Sequence, residues 1–309
     1  MDIGGTNIRA ARMQADGTFE ARSRHPTAGQ ANEVTAKIHS AIADVWPESG
    51  EVQAIAIAAP GPLDPFTGMV YHAPNVPGWV NFPLRDNVQA KFNAPVVIGN
   101  DANMAAMGEW KFGAGRGHND VLYLTISTGI GGGAICGGHL IVGAHGLATE
   151  LGHVTVHPDG PVCGCGQRGH LEALASGPAI ASAAKVRLKN NLNSKIWELV
   201  ENDLALVTAR QVGEAAKAGD EFAIGLLAEA GGYIGQTIAD YLHIFNPSIV
   251  ILGGGVSINV GDLLLNPVRA AMKTRLMESV YECAVVLAEL GDDVGLLGTL
   301  ALAVKTFPA

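Results

Sequence analysis

A hairpin with a glycine-rich turn occurs twice in this chain of 309 residues, and each copy leads into a helix-like and then a strand-like segment. The first copy starts with "MDIGGTNIRA" at residue 1, and the second starts with "VLYLTISTGIGGG" at residue 121. This repeat, with a period of about 120 residues, is weak but predicts two α/β halves. Two such halves that face one another form a cleft, which is where ligands usually bind.

Hydrophobic periodicity predicts the elements of each half. In the first half we expect a hairpin over "NIRAARM" and "GTFEARSRH", an amphipathic helix over "ANEVTAKIHSAIADVW", and a strand running directly into a helix over "PVVIGNDANMAAMGEWKFG". The second half adds a long helix over "EFAIGLLAEAGGYIGQTIADYLHIF", a buried strand over "PSIVILGGGV" and a final helix over 293–306. The glycine-rich segment "GAGRGHND", residues 113–120, is the most flexible candidate for a crossover between the halves.

Composition and charge argue against several classes of protein. Hydrophobic residues make up 48% of the chain and charged residues 16%, so a large core is available and disorder is not expected. The net charge of −9 argues against a nucleic-acid-binding surface. No signal peptide is recognisable, and no apolar run reaches the roughly 18 residues that a membrane span needs. We therefore expect a cytoplasmic protein with no nucleic-acid partner and no membrane contact.

Both glycine turns have the chemistry of a phosphate-binding loop. Glycine lets the backbone approach a ligand closely, and exposed N–H groups beside a threonine hydroxyl can surround phosphate oxygens. Asp2 lies where a phosphate-bound Mg²⁺ would need a carboxylate or a carboxylate-held water. One such turn alone favours a plain hairpin, but two at equivalent places of a duplicated chain favour phosphate binding. Neither turn matches the P-loop pattern, and "GGGV", residues 253–256, is a third place where backbone could meet a nucleotide.

Asn100 and Asp101 follow the apolar run "PVVIG" at the start of a predicted helix. From the spacing alone the better interpretation is helix capping, because both residue types accept hydrogen bonds from backbone N–H groups. A carboxylate fixed at the end of a strand can also act as a general base that accepts a proton from a bound substrate. The two roles are compatible if Asn100 caps the helix while Asp101 faces substrate.

The segment "ELGHVTVHPDGPVCGCGQRGHLE" contains three histidines and two of the four cysteines of the chain. Two thiolates and two imidazoles satisfy tetrahedral zinc, although a pair of free cysteines in a glycine-rich loop explains the spacing equally well. Glu150 and Glu172 lie at the edges of this segment. Alone, each carboxylate is better explained as solvated surface charge, but together they suit a ligand rich in hydroxyl groups.

The motifs "DIGGTNIRA", "PGPLD", "PNVPGW", "NDANMAAMGEW", "STGIGGG", "ELGH", "CGCGQRGHLE" and "ILGGGV" occur in the order found in ROK-family sugar kinases. The match covers nearly the whole chain, which is most similar to the bacterial glucokinase branch. The resemblance implies a duplicated actin-like or hexokinase-like (RNase H-like) α/β fold with two lobes and an interlobe cleft. It also implies a homodimer that binds ATP and Mg²⁺ and phosphorylates a hexose hydroxyl, converting glucose to glucose 6-phosphate.

The same resemblance assigns functional positions. It places the general base at Asp101, and a structural Zn²⁺ on the histidine of "GH" and a C-x-C-x4-C pattern whose last cysteine is a histidine here. The zinc ligands are then His153, Cys163, Cys165 and His170, with His157 as a less favoured alternative. The expected hexose-binding residues are Asn75, Asn100, Glu150, His153 and Glu172, and the expected nucleotide-binding residues are Asp2, Gly4, Gly5, Thr6, Asn7, Thr128, Gly129, Gly254 and Gly255.

We expect a small lobe over 1–102, joined by the C-terminal helix 293–309, and a large lobe over 103–292 that contains a zinc loop over 150–172. Close alternatives to glucose are N-acetylmannosamine, N-acetylglucosamine, allose and fructose. A non-catalytic, sugar-responsive regulator is an alternative of another class. Regulators of this family carry a helix-turn-helix domain before the first glycine turn, for which this sequence leaves no room. A sugar-binding or actin-like protein without catalysis is the third alternative.

Overall fold

The structure is a computed structural model that describes residues 1–73, 76–277 and 282–308. Its first five-stranded sheet has the order β3-β2-β1-β4-β8, and a smaller sheet between the fourth and eighth strands has the order β5-β6-β7. The strands are β1 (Asp2–Ile3), β2 (Asn7–Met13), β3 (Phe19–Pro26), β4 (Ile55–Ala59), β5 (Leu63–Asp64), β6 (Met69–His72), β7 (Val80–Phe82) and β8 (Val96–Asn100). β1 pairs antiparallel with β2 and parallel with β4, which pairs parallel with β8.

The second five-stranded sheet repeats this arrangement. It consists of β9 (Val121–Ile126), β10 (Ile130–Cys136), β11 (His139–Leu140), β12 (Ile249–Gly253) and β13 (Ala284–Leu287), in the order β11-β10-β9-β12-β13. β9 pairs antiparallel with β10 and parallel with β12, which pairs parallel with β13. Both sheets thus place their strands in the spatial order 3-2-1-4-5. This confirms the duplicated, RNase H-like two-lobe fold that the sequence predicts.

Helices connect and cover these strands in the described ranges. They are α1 (Ala31–Asp44), α2 (Leu84–Phe92), α3 (Asp101–Phe112), α4 (Leu171–Ala175), α5 (Gly177–Leu188), α6 (Ile196–Leu199), α7 (Ala209–Lys217), α8 (Glu221–Phe245), α9 (Gly254–Val260), α10 (Asp262–Lys273) and α11 (Val294–Thr306). α1 buries Val34, Ile38 and Ile42, as its 3.6-residue periodicity predicts. None of the helices in this part of the chain has the length and apolarity that a membrane crossing requires.

The described chain divides into two compact units. The first unit comprises Met1–Gly117, His139–Thr149 and Glu289–Ala309, and the second comprises His118–Gly138 and Glu150–Ala288. The structure therefore corrects the expected lobe boundary at 102/103, because α3 belongs to the first unit. The first crossing, at 117/118, lies within the segment 113–120 that was the candidate crossover.

α3 belongs to the first unit because it packs closely against α11. A Cβ atom at Gly298 would lie 1.7 Å from the carbonyl oxygen of Met104, and one at Gly108 would lie 2.5 Å from that of Val294. The two helix backbones therefore approach so closely that neither glycine leaves room for a side chain. This contact fixes the axis of α3, which begins at Asp101.

A buried carboxylate fixes the other end of α3. Glu109 is 0% exposed, and its side chain accepts hydrogen bonds from the backbone N–H groups of Ala114 (2.9 Å), Glu289 (3.0 Å) and Leu290 (2.9 Å). A buried charge is costly unless hydrogen bonds compensate for the lost water, and these three donors supply that compensation. Glu109 thereby ties α3 to the chain on both sides of it, at 114 and at 289–290.

We expect Gly298→Ala to destabilise the protein by about 3 kcal/mol, because the methyl group would collide with a helix backbone that cannot move independently. Urea-induced unfolding followed by circular dichroism measures the change. Gly225→Ala is the matched control, because Gly225 is an exposed glycine inside α8 with open space at its Cβ position. This control should stabilise the protein by about 0.5–1 kcal/mol. Equal stabilities for the two variants would contradict the close packing of α3 and α11.

Candidate functional site

In the first unit, the glycine turn between β1 and β2 is held by a buried threonine. The N–H of Gly4 donates to the carbonyl of Asn7 (2.9 Å), which closes the turn. Thr27, which is 1% exposed, donates its hydroxyl to the carbonyl of Gly4 (2.7 Å) and its N–H to that of Thr6 (2.9 Å). These bonds fix the turn while Gly5 and Thr6 stay exposed at its tip. No sequence pattern indicated Thr27, because it acts from the end of another strand.

Two predicted nucleotide-binding side chains of this turn have protein partners. The carboxylate of Asp2, a residue that is 6% exposed, forms an ion pair with the guanidinium of Arg9 through Oδ2. Asn7 accepts a hydrogen bond from Nε of Arg24 at 2.9 Å. The tip of the turn therefore offers a ligand mainly its backbone and the side chain of Thr6.

Asn100 and Asp101 both lie at the N-terminus of α3, where the side chains of both accept a hydrogen bond from the backbone N–H of Ala102. Asn100 is the N-cap of α3, and its side-chain oxygen accepts from the N–H groups of Ala102 (3.0 Å) and Asn103 (3.4 Å). Asp101 is the first residue of the helix and is exposed, with Oδ1 2.8 Å from the N–H of Ala102. The positive end of the helix dipole favours an ionised carboxylate at this position.

In the second unit, the turn between β9 and β10 lies beside the glycines that follow β12. The N–H of Gly177 donates to the carbonyl of Ser127 (2.8 Å), and a Cβ atom at Gly177 would lie 3.3 Å from the side chain of Val256. Gly254 has a φ of +87° and packs against Ile126, where a Cβ atom would lie 2.4 Å from a carbonyl oxygen.

Four predicted nucleotide-binding positions of the second unit, Thr128, Gly129, Gly254 and Gly255, are therefore in one region. The sequence analysis missed Gly177, which also lies there. The signal that could have indicated Gly177 is the sequence Ser-Gly-Pro at 176–178, which is typical of a helix start. In the structure the Ser176 hydroxyl caps α5 by accepting a hydrogen bond from the N–H of Ala179.

The structure brings four predicted metal ligands together in the second unit. The ligand atoms of His153, Cys163, Cys165 and His170 all lie within 4.8 Å of one another. Sγ of Cys163 is 3.7 Å from Nδ1 of His153, and Sγ of Cys165 is 3.3 Å from Nδ1 of His170. This group does not contain His157, the alternative ligand, which is exposed.

This geometry fits zinc. Bond lengths of about 2.0–2.3 Å around a tetrahedral ion separate neighbouring ligand atoms by about 3.3–3.8 Å, and the two distances above fall in that range. Burial raises the pKa of the Cys163 thiol to about 11. A bound divalent cation reverses this preference, because it stabilises the thiolate.

Glu172 connects the metal ligands to the second glycine turn. Its Oε1 accepts a hydrogen bond from Sγ of Cys163 at 3.4 Å, and its Oε2 accepts from the N–H of Ile130 at 3.0 Å. A Cβ atom at position 129 would lie 2.5 Å from Oε2, so the glycine there makes room for the carboxylate. Glu150 is exposed and precedes a 3-10 turn over Leu151–His153.

The predicted site residues are thus distributed over both units. The first unit contains Asp2, Gly4, Gly5, Thr6, Asn7, Asn100 and Asp101, and the second contains Thr128, Gly129, Glu150, His153, Cys163, Cys165, His170, Glu172, Gly254 and Gly255. Asn75 lies outside the described residues. A cavity of about 420 Å³ in the first unit, lined by Trp46 and Phe307 among others, contains none of the described site residues.

In metal-free protein we expect iodoacetamide to modify Cys165, which is exposed, before Cys163, which is 4% exposed. A pKa near 11 leaves only about 0.1% of the Cys163 thiol ionised at pH 8, and the thiolate is the reactive form. The rate at Cys163 should therefore rise about tenfold per pH unit up to about pH 10 and then level off above pH 11. Peptide mass spectrometry after timed labelling measures both rates, and equal rates at pH 7 would contradict the structure.

Known proteins resemble this chain over nearly its whole length. The ROK family model matches residues 1–306. The glucokinase of Streptomyces coelicolor is 37% identical over 100% of this chain and 98% of its own, and that of Thermotoga maritima is 36% identical over 98% and 95%. The crystal structure of a ROK family glucokinase from Streptomyces griseus, in complex with glucose and AMPPNP, is 37% identical, has a TM-score of 0.84 and matches over 98% of both chains. With this family match and these identities, the chain belongs to the ROK family.

Proposed function

We propose that this protein is an ATP-dependent glucokinase, which transfers the γ-phosphoryl group of ATP to the 6-hydroxyl of glucose. Two glucokinases align with it almost from end to end, and the Streptomyces griseus enzyme binds glucose and AMPPNP. The observation that carries the chemical assignment is Asp101, an exposed carboxylate in the first turn of α3 whose neighbour Asn100 caps the helix.

Asp101 is the general base of this mechanism. A sugar hydroxyl is a poor nucleophile near neutral pH, and a carboxylate within hydrogen-bond reach accepts its proton as the bond to phosphorus forms. Asp101 lies in the first turn of α3, where the helix dipole favours a negatively charged side chain. The proton then passes to Asp101, the phosphoryl group to the sugar oxygen, and ADP leaves.

We assign the phosphates of the nucleotide to the backbone N–H groups of the two glycine turns, at Gly4–Thr6 and at Thr128–Gly129. Gly254 and Gly255 follow β12 beside the second turn, which supports a further nucleotide contact there. Mg²⁺ on the nucleotide supplies charge neutralisation. Asp2 is our candidate carboxylate for this ion, and its ion pair with Arg9 fits a metal-bound water better than direct ligation.

We further propose that His153, Cys163, Cys165 and His170 hold a structural Zn²⁺. Four protein ligands leave no open position for water, so this ion supports the loop rather than the chemistry. The loop would present Glu150 and Glu172 to the hexose, together with the amides of Asn75 and Asn100. His153 can bind both the metal ion and the hexose. Its Nδ1 faces the other metal ligands, and its Nε2 remains for a sugar hydroxyl.

Release of ADP with a panel of hexoses tests the function. We expect the highest kcat/KM with glucose, and lower values with N-acetylmannosamine, N-acetylglucosamine, fructose and allose. A higher kcat/KM with an N-acetylhexosamine would mean that this sugar, rather than glucose, is the substrate, and the protein would still be a sugar kinase. No turnover with any sugar would favour a sugar-binding or actin-like protein without catalysis, and an electrophoretic shift assay tests the sugar-responsive regulator. The homodimer stays a prediction from the resemblance and the cytoplasmic location stays a prediction from the sequence. Native mass spectrometry tests the first.

Replacing Asp101 by Asn should lower kcat by a factor on the order of 10²–10⁴ and leave glucose binding nearly unchanged, since the amide cannot accept the proton. Steady-state kinetics and calorimetric glucose titration measure the two effects. Asp86→Asn is the matched control, because Asp86 is also an exposed carboxylate in the first turn of a helix. Turnover of the Asp101 variant at the control's rate would refute the general base.

Cys165→Ser should abolish stoichiometric zinc binding and lower the melting temperature by about 5 °C or more, because the bound ion stabilises only the folded loop. Elemental analysis and calorimetry measure both. Cys136→Ser is the control, since Cys136 is a free cysteine outside the metal group. Equal zinc content and equal melting temperatures in the two variants would exclude the proposed metal site.

A further inference from the structure

We propose that Tyr241 is a positioning residue for the hexose and metal side of the site, acting through the 3-10 turn Leu151–His153. The proposal rests on the proposed function in one respect, namely that Glu150 and His153, at the two ends of this turn, contact glucose. Tyr241 itself touches no substrate in this scheme.

A buried hydrogen bond connects α8 to the 3-10 turn. Tyr241 lies near the end of α8, is 3% exposed, and donates its hydroxyl to the carbonyl oxygen of Leu151, 90 residues away in sequence. Its ring packs against that of Phe245, with centroids 6.4 Å apart. Burial raises the pKa of the phenol, and the charge of Asp240 raises it further. The hydroxyl therefore keeps its proton and donates throughout the pH range of an enzyme assay.

Close packing shapes the opposite side of the turn. A Cβ atom at Gly152 would lie 1.9 Å from the carbonyl oxygen of Ile130, and one at Gly132 would lie 2.4 Å from the side chain of Leu151. The turn therefore lies directly against β10. Close packing of this kind limits how near the turn can come, but it does not hold it in place against outward movement. The bond from Tyr241 contributes a restraint against that movement from the side of α8.

Movement of the Leu151 carbonyl would displace functional groups on both sides of it. Glu150 immediately precedes Leu151, and its own carbonyl accepts the N–H of His153 at 3.0 Å. Without the phenol proton, the Leu151 carbonyl loses its donor in a buried setting, which favours a shift of the turn towards water. Both the carboxylate offered to the sugar and the imidazole offered to the metal would then lose their fixed positions.

Tyr241→Phe tests this, because it removes the donor and keeps the ring. In the zinc-loaded enzyme we expect the KM for glucose to rise about fivefold to tenfold, with kcat and the KM for ATP within twofold of the parent. We also expect zinc to pass to the chromophoric chelator 4-(2-pyridylazo)resorcinol about tenfold faster. Tyr233→Phe is the control, since Tyr233 is a half-buried tyrosine on the same helix, and it should change neither value. Both variants are assayed well below their measured melting temperatures.

A 4-aminophenylalanine at position 241 restores an N–H donor and should restore both values. An unchanged glucose KM in Tyr241→Phe, or an equal rise in the Tyr233 control, would overturn the proposal. If the parent protein phosphorylates no hexose, the proposed function has failed separately, and the zinc-transfer rates then decide the role of Tyr241. If the parent protein holds no zinc, the role of Tyr241 is decided by whether Tyr241→Phe raises the KM for glucose and leaves kcat unchanged.

Discussion

The arrangement of the first unit depends on two helix backbones that touch without side chains between them. Gly108 on α3 and Gly298 on α11 each face a carbonyl oxygen at a distance that excludes a methyl group. Directly after β8, α3 begins with Asp101, and Glu109 near its other end binds backbone N–H groups on both sides. The carboxylate proposed as general base is thus placed by packing and hydrogen bonds that lie one to two helical turns further along α3.

The duplicated sheets explain why both of the proposed phosphate-binding segments are turns. Each sheet begins with a hairpin whose turn is rich in glycine, and in each unit a more distant residue holds that turn. Thr27 binds the carbonyls of the first turn, whereas Glu172 binds the N–H of Ile130 at the second. The same topological position therefore offers backbone to a ligand in both units, while the supporting side chains differ in kind.

The sequence predicts local structure well here because its signals are local. The hairpins, the amphipathic α1, the long α8 and the four metal ligands follow from periodicity, glycine turns and the family pattern. The lobe boundary was wrong because the partner of α3 is α11, nearly 200 residues away, and no periodicity records that contact. Thr27 and Tyr241 were missed for the same reason, since each acts through long-range hydrogen bonds from an ordinary position in a loop or helix.

The contact between Glu172 and the glycine at 129 has a consequence for how this protein can evolve. The carboxylate fills the space that a side chain at 129 would need, so an alanine there requires the end of the Glu172 side chain to move away. That movement would release both Ile130 and Cys163. We therefore expect substitutions at 129 and 172 to be coupled in evolution.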